Sequence, residues 1–228
     1  MGSSVGCLII HGFGGSTDEV APLSDYLSGR GFDTYCPRLK GHTGNRKDLA
    51  GSNYREWIKS AEDGLKNLAA GCERVIIIGF SMGGLIAVNL SMAYDISALV
   101  TLNTPIYYID MKRVMVNLLE DIKSLSFSNL KKYVQVPLSV PVPAFRNFKA
   151  ILSSTMPLIK NISCPVFTAQ ALEDDAVKWE SADYIYRNTC SNSKVVRYYR
   201  NCGHIICHSP ASGELFRDVE HFIRNVTK

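Results

Sequence analysis

At 228 residues, 46% hydrophobic and 20% charged, the chain is long enough to bury one substantial core and too apolar for a fibrous or disordered protein, leaving one domain with room for a small insertion. A formal charge of +4 without dense Lys/Arg runs argues against nucleic acid as a partner, and no apolar run approaches the roughly 18 residues of a membrane span. Seven cysteines in no paired framework fit a reducing compartment, so a cytoplasmic protein with free thiols and no stable membrane insertion is expected, its oligomeric state left open.

In chain order, apolar runs at 5–10, 34–37, 74–79, 98–102, 166–170 and 195–199 read as six strands. Val75-Ile76-Ile77-Ile78 is apolar without alternation, as a strand covered on both faces of a parallel sheet requires. Helices are predicted between the strands at 18–30, 54–70, 82–93, 145–160, 180–187 and 210–226. Trp57, Ala61, Leu65 and Leu68 share one helical stripe, and Leu215, Val219, Phe222 and Val226 another. Strand and helix in alternation predict a doubly wound, mostly parallel α/β sheet with right-handed crossovers.

The rhythm breaks between the strands ending at Leu102 and starting at Val166, where the chain is far longer than one crossover helix needs. An amphipathic run of Met111, Val114, Met115, Leu118, Leu119 and Ile122 is followed by a stretch from Val136 to Pro143 too rich in proline for a central strand. Residues 105–144 are therefore expected to form a small helical lid, with the core at 1–104 and 145–228.

Gly79-Phe80-Ser81-Met82-Gly83 lies directly between the most apolar strand and a helix pattern. A G-x-S-x-G sequence at that junction predicts a sharp turn that lifts the Ser81 hydroxyl clear of the sheet, with glycines two residues to either side avoiding collisions. The helix start supplies free N–H groups and a positive end beside the hydroxyl. Its partners follow at later strand ends: Glu173, Asp174 and Asp175 after the fifth strand, and Gly203-His204 after the sixth. Nucleophile, acid and base in that order predict a Ser81–Asp174–His204 triad. Asp174 is preferred to Asp175 because Val177 then falls three residues on as an apolar plug, and Glu173 ranks third.

Among the other histidines, His11 is expected to brace a loop, His42 to be structural and His221 to lie on the surface. Cys202, His204, Cys207 and His208 lack the pairings of a structural zinc site, so no metal is expected and the thiols read as small buried hydrophobes. The loop His11-Gly12-Phe13-Gly14-Gly15 follows the first strand. G-x-G-x-x-G fails at Thr17, which disfavours a nucleotide. The backbone N–H groups of Phe13 and Met82 are instead the predicted oxyanion pair, each worth about 3 kcal/mol when aligned.

Taken together, His11-Gly12-Phe13-Gly14-Gly15, Pro37-Arg38-Leu39-Lys40-Gly41-His42, Gly79-Phe80-Ser81-Met82-Gly83-Gly84, the Asp174 loop and Gly203-His204 resemble the small bacterial carboxylesterases, α/β-hydrolases close to bacterial monoacylglycerol lipases. The resemblance spans nearly the whole chain. It implies an α/β-hydrolase fold, a serine esterase with the triad and hole named above, a lid after the strand that follows the elbow helix, and an acyl pocket beneath it. The chain starts almost at its first core strand, so the antiparallel strands that often open this fold are expected to be absent or shortened.

The chemistry expected is hydrolysis of short to medium-chain carboxylic esters through an acyl-enzyme, without metal or cofactor. Tyr107, Tyr108 and Met111 are expected to hold the acyl chain, with Gly12 and Gly14 lining the substrate site; the same apolar stripe also fits lid core. Monoacylglycerol lipase and thioesterase are the rival activities within the enzymes, and a non-catalytic hydrolase-fold receptor the rival outside them.

Overall fold

The computed structural model describes residues 4–108 and 140–228. Six strands, β1 (Val5–Ile10), β2 (Asp33–Tyr35), β3 (Arg74–Phe80), β4 (Ala98–Leu102), β5 (Val166–Ala171) and β6 (Lys194–Tyr199), form one sheet in the order β2-β1-β3-β4-β5-β6. Every pairing is parallel.

The helices are α1 (Ala21–Ser28), α2 (Arg46–Ala50), α3 (Tyr54–Ala69), α4 (Met82–Ala93), α5 (Val142–Thr155), α6 (Glu180–Asn188) and α7 (Ser212–Val226). They cover both faces of the sheet, so each apolar strand feeds two cores. Leu8, Ile10 and Ile77 pack with Trp57 of α3, Leu85 of α4 and Phe148 of α5. Cys7, Ile9, Ile76 and Ile78 point the other way, onto Leu23 and Leu27 of α1 and Val219 and Phe222 of α7. That division explains why β3 lacks alternation: all its residues from Val75 to Phe80 are buried.

The elements differ from expectation mainly where proline intervenes. The helix predicted at 145–160 begins earlier, at Val142, because Pro143 fits the first turn, and it ends at Thr155, before Pro157. A 3-10 helix, Met156–Asn161, continues it. β2 stops at Tyr35, short of Pro37, which has no N–H for a ladder. The helix predicted at 18–30 is divided into a 3-10 turn, Thr17–Glu19, and α1. The short α2, capped by the Asn45 side chain on Lys47 N–H, went unread because five residues give no periodicity.

Of the expected lid, residues 109–139, with Met111, lie outside the described residues. Both ends of the 105–144 interval belong to the core: Ile106 and Ala144 are buried in the same cluster as Trp57. Tyr108 makes an antiparallel bridge to Val177, and Lys178 N–H donates to the Tyr107 carbonyl at 2.9 Å. No helix among the described residues is long and apolar enough to cross a membrane.

Candidate active site

The sheet order reverses at β1: the chain steps from β1 to β2 on one side and then to β3 on the other. In an open parallel sheet such a switch leaves a crevice at the carboxyl ends of the two strands. The loop after β1 and the turn after β3 meet there, with Ile10 paired to Gly79 in the ladder.

Ser81 occupies that turn with φ +51° and ψ −124°, a backbone region costing on the order of 1–3 kcal/mol for a residue with a side chain. The surroundings hold it there. Ser81 N–H donates to the Leu102 carbonyl at 2.8 Å. A Cβ at Gly79 would overlap the Gly83 main chain, one at Gly83 would strike the Ile10 carbonyl, and one at Gly84 would overlap the Thr104 hydroxyl. The glycines thus let the elbow press against β1 and the residues after β4, with the hydroxyl standing above.

His204 Nε2 lies 3.0 Å from Ser81 Oγ, and its Nδ1 lies 2.8 Å from Asp174 Oδ2. With Nδ1–H donating to the carboxylate, Nε2 is left to accept from the hydroxyl. Asp174 Oδ1 accepts the Ala176 and Val177 N–H groups at 2.8 and 2.9 Å, and Gln170 Nε2 donates to Oδ2 at 3.3 Å. The carboxylate is therefore fixed from both oxygens. Val177 is buried, Asp175 is half-buried and Glu173 exposed, so the chain brings Asp174 inward, as the apolar plug required.

The electrostatics follow from this packing. Burial pushes the His204 imidazole down, but the charge and hydrogen bond of Asp174, with the charges of Glu19 and Asp175, outweigh it and raise it above its ordinary value. His204 is held from behind as well. Asn103, in a left-handed conformation at φ +46°, donates from Nδ2 to the His204 carbonyl at 2.7 Å and accepts the Ala171 N–H at 2.8 Å.

Across from His204, the glycine loop carries the Phe13 amide, and α4 begins with the Met82 amide. Among the described residues neither N–H meets an acceptor. Gly12 does not share that freedom, because its N–H donates to Glu19 Oε2 at 2.8 Å. It instead lets the loop sit close to the elbow: a Cβ there would lie 3.3 Å from the Ser81 Cβ. Gly14 turns the loop at φ +70°.

His11 braces this loop, its Nδ1 donating to the Gly12 carbonyl at 2.9 Å and its Nε2 accepting the Leu39 N–H at 3.3 Å. Burial, aided by neighbouring His42, pushes its pKa down to about 3. His42 is buried too, down to about 4, and its Nδ1 donates to the Lys40 carbonyl at 3.1 Å. His221 is exposed. Cys202 and Cys207 are buried free thiols, and no group of three or more candidate metal ligands occurs among the described residues.

Aromatic rings gather around Phe13. Trp57 and Phe148 lie 5.6 and 5.3 Å from its ring centre, and Tyr108 meets Phe148 edge-on at 6.0 Å. Tyr108 is thus packed on the same aromatic cluster as Phe13. Tyr107 lies outside this cluster: it is 41% exposed and rests on Tyr184 of α6.

Sequence reasoning missed Glu19, Asn103 and Gln170. Only Glu19 had a local signal. Ser16-Thr17-Asp18-Glu19 has capping-box spacing, although the carboxylate turns past the Ser16 cap to Gly12. Asn103 and Gln170 act across strands, where no short pattern marks them.

Residues 7–218 match the model of the alpha/beta hydrolase family. The chain is 24% identical over 232 residues to a carboxylesterase of Bacillus subtilis (strain 168), covering 99% of this chain and 94% of that one. It is 26% identical over 212 residues to a thermostable monoacylglycerol lipase of Bacillus sp. (strain H-257), covering 88% and 83% respectively. A solved structure from a pair of metagenome-derived lipolytic enzymes superimposes with a TM-score of 0.83 at 21% identity, covering 99% of this chain and 95% of that one; at that identity the likeness is one of fold.

Proposed function

The chain belongs to the alpha/beta hydrolase family, and from that premise we propose that it is a serine carboxylesterase acting on short to medium-chain esters, with Ser81 as nucleophile, His204 as base and Asp174 as the acid that orients it. The observation carrying this reading is the unbroken hydrogen-bond relay from Ser81 Oγ through the imidazole to a doubly anchored carboxylate.

In the first half of the reaction His204 Nε2 removes the hydroxyl proton as Ser81 Oγ bonds to the ester carbonyl carbon. The carbonyl oxygen becomes an oxyanion, received by the Phe13 and Met82 amides. The tetrahedral species collapses by expelling the alcohol, which takes its proton from the imidazolium, and an acyl-serine remains. Water then gives a proton to Nε2 and adds to the acyl carbon. The carboxylic acid departs and the Ser81 hydroxyl is restored.

Tyr108 is assigned to the acyl pocket beside Phe13, backed by the buried Phe148 and Trp57 rings. A second reading, monoacylglycerol lipase, is favoured by the similarity to the Bacillus sp. enzyme. A fluorophosphonate probe tests the chemistry: wild type labels, and Ser81→Ala abolishes labelling with an unchanged circular dichroism spectrum. A chain-length series of acyl esters, monoacylglycerols and acyl thioesters then separates the activities. Absence of labelling and turnover throughout would leave a non-catalytic receptor.

A further inference from the structure

Beneath the glycine loop lies a carboxyl group that the mechanism above leaves unused. Glu19 is 4% exposed, and its Oε2 holds the Gly12 N–H at 2.8 Å. The loop is moulded to it. A Cβ at Gly15 would overlap the carboxylate outright, and one at Gly12 would come within 3.2 Å of Oε2. Two of the loop's glycines, Gly12 and Gly15, thus face the same side chain, and the Phe13 amide assigned to the oxyanion lies between them in the chain.

We propose that Glu19 is a positioning residue of this site, seating the loop that presents the Phe13 amide and setting its carboxyl group beneath that loop, across from His204. The inference rests on the esterase reading. A glutamine amide would make the same bond to Gly12 without the charge, so that substitution separates the seat from the field of the carboxylate. The ionisable groups that face it are His204, Asp18 on its own turn, and the Cys207 thiol from the turn after His204. Burial pushes Glu19 up to about 7, against the opposing pulls of the Gly12 N–H and His204. Its negative charge in turn favours the imidazolium form of His204.

The test compares wild type, Glu19→Gln and Glu19→Ala in steady-state hydrolysis across pH and in the rate of fluorophosphonate labelling. Glu19→Gln keeps an acceptor for Gly12 and removes the charge, so kcat on the alkaline plateau stays close to wild type while the acid limb of kcat/KM moves to lower pH. Glu19→Ala removes the seat, and kcat falls roughly 10- to 100-fold, short of the roughly 100- to 1,000-fold expected for deleting a donor itself, with KM little changed. A mere folding defect would move neither the acid limb nor the ratio of the two parameters. An acid limb for Glu19→Gln coincident with wild type overturns the proposal, and so does a folded Glu19→Ala with wild-type kcat. If Glu19→Ala does not fold, the Glu19→Gln profile decides alone. Failure of wild type to label at all strikes the esterase reading instead.

Discussion

Asn103 Nδ2 donates to the main-chain carbonyl of His204 at 2.7 Å, while its Oδ1 accepts the Ala171 N–H at 2.8 Å. One side chain at the end of β4 therefore ties the histidine loop to the end of β5, from which the Asp174 loop departs. Asn103→Ala leaves the Ala171 N–H unpaired, leaves the His204 carbonyl with the Ile206 N–H alone, and places alanine at φ +46°. The expected loss is about 1–3 kcal/mol in urea unfolding, with kcat reduced more than KM is raised. Wild-type stability would show that neither bond contributes.

The pH dependence of turnover follows from His204. Only the neutral imidazole accepts the Ser81 proton, and the Asp174 charge and hydrogen bond outweigh burial in raising its pKa above 6.5. Activity therefore falls as pH decreases, with its midpoint above 6.5. Asp174→Asn removes the largest raising influence. The acid limb should then move to lower pH, and kcat should drop about 10³- to 10⁴-fold as the tautomer is lost. A pH–rate profile for both proteins checks the two shifts together. The same pairing contributes to folding in the opposite pH direction: its stabilisation is full below the unfolded histidine value, about 6.5, and fades as pH rises through the folded value.

His11 and His42 predict acid lability of the fold. Their folded values of about 3 and about 4 lie below the ordinary 6.5 because burial disfavours the cation. The unfolded chain thus binds protons more readily, so their contribution is complete above 6.5 and declines as pH falls toward 4. His42→Asn retains a donor for the Lys40 carbonyl without a titrating ring. Its acid-unfolding midpoint, followed by tryptophan fluorescence, should lie at lower pH than wild type, at the cost of about 1 kcal/mol of packing at neutral pH. An unmoved midpoint would remove His42 from the acid transition.

Gly84 and Thr104 should be coupled. In an ordinary helix Gly→Ala is stabilising by about 1 kcal/mol, but a Cβ at Gly84 would overlap the Thr104 hydroxyl and methyl. Gly84→Ala is therefore expected to destabilise by about 1–3 kcal/mol and to slow turnover by shifting the elbow. Combining it with Thr104→Gly should recover at least about 1 kcal/mol relative to the sum of the single changes. Strict additivity would place the strain elsewhere.

Local pattern alone determined much of this protein. The unbroken apolar run of β3, the glycines about Ser81, the stripes of α3 and α7, and the order of serine, carboxylate and histidine all depend on side-chain volume or backbone freedom within a few residues, and each appears in the fold at its predicted place. That Asp174 rather than Asp175 turns inward was legible only through the apolar Val177 nearby. What tertiary structure alone decided is which polar groups meet across strands. Asn103 reaches Ala171 and His204, 68 and 101 residues away, and these contacts exist because β4 lies beside β5, a neighbour relation that no periodicity encodes. In sequence Glu19 is one residue of the helix predicted at 18–30; only the docking of its turn beneath the glycine loop buries the carboxylate and gives it the Gly12 amide as a partner.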